Sequence, residues 1–377
     1  MLCSPRELGV SQDHSRILVL PPDGRPGADV AALLGLDDVV LDLEVKSNRP
    51  DLLSVAGVAR EVAAALGLPF RPPEVAVPEG EERAADAATV EIRDPDRCPR
   101  YVARVIKGVE VAPAPLRVQA RLTALGQRPI SNVVDATNYV MLELGQPLHA
   151  FDLALLKGPG VVVRRAAAGE RLVTLDDVER ELTDDDLLIC DLERPVALAG
   201  VIGGKESEVS EATRDVLLES AAFERTGIGR TSRRLGLATE ASYRFSRGVD
   251  PEGCGRAADR AAALIAAWGG GTVLAGSVEA GAVPPRRRVR IRPARAQAVL
   301  GVPQTPATVR EALETIGLRV GEAEGALEAE VPGFRPDLEL EEDLIEEVIR
   351  VQGYDRVGET LPAVRQAGGI PPERRLR

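Results

Sequence analysis

Two proline-rich breaks set what this chain can fold into. The first is PFRPPEVAVPEGEERAADAA, residues 69 to 88, and the second is AGAVPPRRR, residues 280 to 288. Proline has no amide hydrogen and a fixed φ, so neither a helix interior nor a central strand runs through such stretches. The chain must fold as segments between breaks, and 377 residues allow two or three domains with real cores. The reading is a strand–helix segment at 37–70, a linker at 71–88, a long mixed segment at 89–285, a smaller unit at 286–360 and an extended tail at 361–377.

Periodicity fills these segments. ILVL (17–20) and VVLDLEV (39–45) read as strands, the second alternating with period two. Asn48 or Asp51 is placed to cap a helix reaching about Leu66, with Leu52, Val55, Val58, Val62 and Leu66 on one face. Between the breaks, ATVEIRD, RYVARVIKGVEV, VVVRRA, RLVTLDD, DDLLICD and PVALAGVIGG read as strands and turns. PAPLRVQARLTALG reads as a helix closed by Gly126, and DPEGCGRAADRAAALIAAWGGG as one ended by three glycines. After the second break come a strand (VRIRP), two helices, a strand and turn (GALEAEVPGFRPD) and a closing helix (LEEDLIEEVIRVQGY). The fold class is α+β, multi-domain.

Composition narrows the function. Aromatics are 3%, so the cores must be built from Leu, Val, Ala and Ile. The net charge of -12 argues against coating nucleic acid with the whole surface. Two local basic clusters remain: Arg286, Arg287, Arg288, Arg290, Arg292 and Arg295; and Arg225, Arg230, Arg233 and Arg234. The four cysteines are far apart with no CxxC spacing, so neither a zinc ribbon nor a disulfide framework is suggested, which fits a reducing cytosol. No apolar run approaches the roughly 18 residues of a membrane span, and MLCSPRELGVSQDHSR lacks the apolar region of a secretory signal.

Four features carry chemistry. His149 is one of two histidines. It is either a core residue bonded to a carbonyl or a pocket residue, with Thr137 and Asn138 just upstream. ALAGVIGGKES (197–207) fails the P-loop spacing, so Gly200, Gly203 and Gly204 serve a sharp turn or close approach to a ligand. Glu219 interrupts the apolar run VLLESAAF: it is either an exposed alternate position on a strand or a pocket acid. In PDLELEEDLIEEV, Asp343, Glu346 and Glu347 share a helix face and Asp337 precedes it. That is either an acidic start favoured by the helix dipole or a set of oxygen ligands for a divalent cation.

Together these stretches resemble the beta subunit of bacterial phenylalanyl-tRNA synthetases. The resemblance rests on MLCSPRELG, EVKSNRPDLLSVAGVARE, RPISNVVDATNYVMLELGQPLHAFD, ALAGVIGG, RRLGLATEASYRFSRGVDP and RPDLELEEDLIEEVIRVQGYD, in that order along nearly the whole chain. It implies the end of an OB-like tRNA-binding domain at 1–36, a B1-like segment at 37–70, a central B3/B4 editing domain at 89–285 and a smaller B5 domain of DNA-binding-like fold at 286–360. The C-terminal catalytic-like and anticodon-binding domains of the family would be missing. Carried over, the editing site comprises Asn138, His149 and Glu219, with Thr137, Ala199, Gly200, Thr239 and Ala241 binding substrate. A magnesium ion, shared with the alpha subunit, is implied at Asp337, Asp343, Glu346 and Glu347. The implied partners are that alpha subunit, in a heterotetramer of two alpha and two beta chains, and tRNA(Phe). ATP is used by the whole synthetase and is not expected to bind this chain alone.

The implied activity is hydrolysis of tyrosine mischarged onto tRNA(Phe). An apolar pocket rejects an added hydroxyl only by ~10², so a second site using that hydroxyl as a handle is chemically reasonable. In that reading Glu219 meets the phenol, His149 and Asn138 orient the ester and a water, and amides near Gly200 support the oxyanion. Two competing classes are a non-catalytic assembly and RNA-docking segment, and DNA binding by residues 286–360.

Overall fold

A computed structural model describes residues 3–10, 14–15, 17–20 and 24–359. The expected tail at 361–377 lies outside them. The chain divides into two units. The first comprises residues 1–287 and 331–338, the second residues 288–330 and 339–377.

The first unit is built on two sheets. One has the order Glu79–Arg83, Thr272–Ala275, Arg100–Lys107, Val216–Ala222, Leu148–Asp152, with Val278–Gly281 also pairing with Arg100–Lys107. The other has the order Ile202–Gly203, Pro195–Leu198, Leu187–Cys190, Gly160–Arg165, Thr89–Ile92. Alternation along the strands decides which residues face which layer. Tyr101, Ala103, Val105, Phe151, Leu217 and Ala221 share one core with Val161, Val163, Ile189 and Leu198 of the second sheet. The alternate positions Ile106, Ala150, Val216 and Leu218 pack instead with helices Asn132–Leu144 and Cys254–Gly269 through Val133, Ala136, Val140, Ala257, Ala261 and Ile265. The layers therefore run helix, sheet, sheet. Alanines at the helix interface supply the close packing that a chain poor in aromatics needs.

The second unit has a three-stranded sheet, Arg288–Ile291, Ala326–Glu330 and Arg319–Ala323, with helices Pro293–Leu300, Pro306–Thr315 and Glu341–Gln352. The basic cluster is largely neutralised by local carboxylates. Arg286 is held by Glu252 within the first unit. In the second, Arg288 pairs with Glu328, Arg292 with Glu341 and Arg295 with Glu341 and Glu342. Guanidiniums committed in this way leave little free charge for duplex DNA.

Three expectations need correction. Residues 17–20 and 39–45 form no strand, and Val39, Leu41 and Leu43 are exposed. Alternation suits a half-buried strand, but a neighbouring strand must satisfy its amides, and none pairs with them among the described residues. The helix before the first break is Val55–Leu66, capped by Ser54, whose hydroxyl accepts from the Gly57 amide; Asp51 lies in a short 3-10 turn instead. The stretch 79–87, expected within a linker, is a strand and a helical turn joined to the first sheet. Arg104, buried in the sheet, holds Glu79 at 2.6 Å, and Ala84 is fully buried.

Candidate functional site

Glu219 lies mid-strand in Val216–Ala222, opposite His149 on one side and Ala103 on the other. Strand alternation points Glu219 into the layer between the sheets, with Leu217 and Ala221. The cross-strand register puts His149 on the same face. Tyr101, two residues before Ala103, completes the group. Three polar side chains thus meet in an otherwise apolar layer.

Each keeps an unsatisfied atom. Tyr101 Oη, His149 Nε2 and Glu219 Oε2 are buried without a hydrogen-bond partner. Burial pushes the Glu219 carboxyl up to about 8, and the Tyr101 hydroxyl pulls it back only in part. The phenol interacts with Glu219, but their alignment falls short of a hydrogen bond that would satisfy either orphan atom. Burial also raises Tyr101, with the charge of Glu219 adding to the effect. Burial alone lowers His149 to about 4. At neutral pH all three are uncharged, and Glu219 can donate as well as accept.

The walls around His149 are set by what is missing from its neighbours. Its ring meets Phe151 edge-on, with centroids 4.6 Å apart at 78°. On another side is Gly203, where a Cβ would sit 2.5 Å from His149 Cε1 and 2.8 Å from Nε2. Glycine there is what lets the edge strand Ile202–Gly203 close over the imidazole.

The remaining expected residues fall into two places. Ala199 and Ala241 pack in or against the inter-sheet core. Gly200, with φ +67, turns the chain so that its Cα faces the rings of Phe223 and Phe245 and the Ile228 side chain. The flanking amides are engaged, Ala199 N–H donating to Leu187 O at 2.9 Å and Val201 N–H to Leu198 O at 3.0 Å. Thr239 caps helix Glu240–Phe245 and donates to Val201 O at 2.8 Å, tying that helix to the Gly200 turn. Thr137 and Asn138 lie on helix Asn132–Leu144, which packs on the Leu148 and Ala150 side of the strand that carries His149. The Thr137 hydroxyl is bonded to Val134 O, and no hydrogen bond joins either residue to His149 or Glu219.

The acidic set is engaged locally. In the first unit Asp337 is bidentate to Arg335, at 2.9 and 2.8 Å. In the second, Asp343 accepts from the Glu339 and Leu340 amides at the start of helix Glu341–Gln352, Glu347 is buried against Arg350, and Glu346 is exposed. Among the described residues no three His, Cys, Asp or Glu side chains form a metal-ligand group. The Asp337, Asp343 and Glu347 carboxylates are thus each engaged by a neighbour within their own unit.

Residues 97–270 match the B3/4 domain model, and residues 289–354 match the tRNA synthetase B5 domain model. The chain is 51% identical to a phenylalanine–tRNA ligase beta subunit of Moorella thermoacetica over 371 residues, covering 96% of this chain and 46% of the relative. It is 52% identical to that of Anaeromyxobacter dehalogenans over 364 residues, with the same two coverages. The chain belongs to the phenylalanine–tRNA ligase beta-subunit family. It spans about half the length of these relatives. A solved N-terminal fragment of the phenylalanyl-tRNA synthetase beta subunit from Pyrococcus horikoshii is 18% identical, covers 82% of this chain and 85% of that one, and has a TM-score of 0.41.

Within the B3/4 match, the site has one member that sequence reasoning missed. Tyr101 is fully buried, one of four tyrosines in the chain, and shares the inward parity of Ala103 and Val105 in RYVARV. A polar tip on the inward face of a strand was the available signal. Gly203 was flagged only as a residue allowing close approach; its role against His149 needed the structure.

Proposed function

We propose that this chain is the editing part of a phenylalanine–tRNA ligase beta subunit, hydrolysing tyrosine esterified to tRNA(Phe). The observation that carries this reading is the trio of orphaned polar atoms on Tyr101, His149 and Glu219, between two apolar sheet faces. Buried polar atoms without partners cost free energy, so such a cluster favours a ligand that supplies them. A tyrosyl ring has the matching chemistry: an apolar body and one hydroxyl that donates to Glu219 Oε2. A phenylalanyl ring leaves that acid unmatched, at about 1–3 kcal/mol.

His149 is neutral and a weak base at physiological pH, so its role is to orient the ester and the attacking water. An aminoacyl ester is intrinsically labile, so a positioned water suffices. The oxyanion falls to the Gly200 amide, since those of Ala199 and Val201 are already donated. Asn138 enters from the neighbouring helix only if substrate draws it in. The partners in this reading are tRNA(Phe) and an alpha subunit carrying the ATP-dependent ligation.

The test is hydrolysis of tyrosyl- and phenylalanyl-tRNA(Phe) by the purified chain and by its Glu219→Ala and His149→Ala variants. Selective cleavage of the tyrosyl ester, weakened in both variants, is expected. No cleavage by a folded chain would instead favour the assembly and RNA-docking role.

A further inference from the structure

A second polar site lies in the first unit, in a cleft lined by Asp51, Ser54, Arg60, Phe70, Asp250 and Arg256 among others, with Phe334 closing one side. Arg60 comes from helix Val55–Leu66 and Arg256 from the first turn of helix Cys254–Gly269.

Buried arginines elsewhere in this unit are committed to carboxylates. Arg49 is bidentate to Asp51 and also reaches Glu61. Arg104 holds Glu79 and Asp259, Arg244 holds Glu240, and Arg335 holds Asp337. Arg60 differs. Its guanidinium stacks over Phe334 at 3.8 Å and Phe70 at 5.0 Å from the ring centroids. It makes no hydrogen bond or ion pair with any described residue, and none of its nitrogens is sealed from the cleft. The two rings hold the guanidinium in place while its N–H groups stay unengaged, an arrangement that presents a guanidinium fork to an oxyanion. Arg256 is exposed, likewise unpaired, and near enough for its charge to disfavour that of Arg60. Asp51 and Asp250 also act on Arg60, but neither forms an ion pair with either guanidinium, so both N–H forks stay open to an anion.

The acids of the cleft are bonded elsewhere. Asp51 is bonded to Arg49, and Asp250 accepts from the Glu252 amide. Burial raises the Asp250 carboxyl from its ordinary value, and the Glu252 amide opposes that shift. Gly253, at the start of helix Cys254–Gly269, lines the cleft and offers no side-chain cap, so the positive helix end adds to the field. The cleft measures about 100 Å³. That is room for a compact polyatomic ion.

We propose that this cleft binds a single phosphate-sized oxyanion between the Arg60 and Arg256 guanidiniums. The anion is either free phosphate or one phosphate of a polynucleotide backbone, and the proposal does not depend on the editing reading. Calorimetric titration of the full chain with inorganic phosphate, at low ionic strength, tests it. One-site saturable binding is expected, weakened at least tenfold in Arg256→Gln, whose exposed side chain puts the fold at little risk. Arg60→Lys keeps the charge but loses the fork, and weakens binding as well. A short single-stranded RNA added to the phosphate-loaded chain separates the sources. Displacement assigns the site to a backbone phosphate, and retention assigns it to a free phosphate compound; both support an oxyanion site. Absence of saturable phosphate binding, or unchanged affinity in both folded variants, overturns it.

Discussion

Glu219 and His149 give opposite pH signatures because burial acts on opposite charges. The Glu219 carboxyl titrates near 8 in the fold and near 4.5 when free. Between those values the native chain holds a proton that the unfolded chain has released, so stability falls as pH rises from about 4.5 to 8. His149 titrates near 4 in the fold and near 6.5 when free, so its contribution is lost as pH falls from 6.5 to 4. At roughly 1.4 kcal/mol per unit, the Glu219 slope is worth a few kcal/mol. Glu219→Gln should abolish it: above the His149 window, urea midpoints of the parent decline between pH 6.5 and 8, and those of the variant stay level. A parallel decline in both chains would mean that Glu219 is not buried as an acid. Gly203 offers a second residue-scale test. An alanine methyl there meets the His149 ring at 2.5 Å, so the ring must move or the edge strand must lift. Gly203→Ala is expected to cost about 1–3 kcal/mol and to reduce tyrosyl-ester hydrolysis at least tenfold, with circular dichroism confirming the fold.

Elements show what the sequence could disclose. VLLESAAF and RYVARVIK were legible as strands because apolar runs bounded by turn residues have few alternatives, and both are central in the first sheet. The inward aim of Glu219 was not legible, since a run apolar on both faces hides its parity; the second sheet decides it. VVLDLEV shows the opposite failure: its alternation is clear, yet no described strand pairs with it. Resemblance supplied Thr239 as a substrate-binding residue, whereas the structure gives it both a capping bond and a bond to Val201 O. Thr239→Val should lose the cap, at about 0.5–2 kcal/mol, and free the Gly200 turn. If its role is positional, hydrolysis falls through kcat while KM for the tyrosyl ester holds. A rise in KM alone would place Thr239 on the substrate instead.

At the scale of the molecule, the two units differ in what they bury. The first encloses the orphaned polar trio between its sheets, with a second apolar layer under its helices. The second is fastened by Ile291, Val309, Leu313, Leu327, Leu344 and Val348, all nearly inaccessible, and by the arginine–glutamate pairs on its surface. Such pairs contribute about 0–1 kcal/mol each, so the apolar contacts carry the second unit. Separate cores predict separate unfolding, because cooperativity follows shared packing. Leu313→Ala removes a fully buried side chain and should cost about 2–5 kcal/mol. Calorimetry is expected to show one transition displaced downward and the other fixed, with tyrosyl-ester hydrolysis unchanged below the first. If both transitions move together and hydrolysis falls with them, the proposed site depends on the second unit, and the B3/4 portion does not act alone.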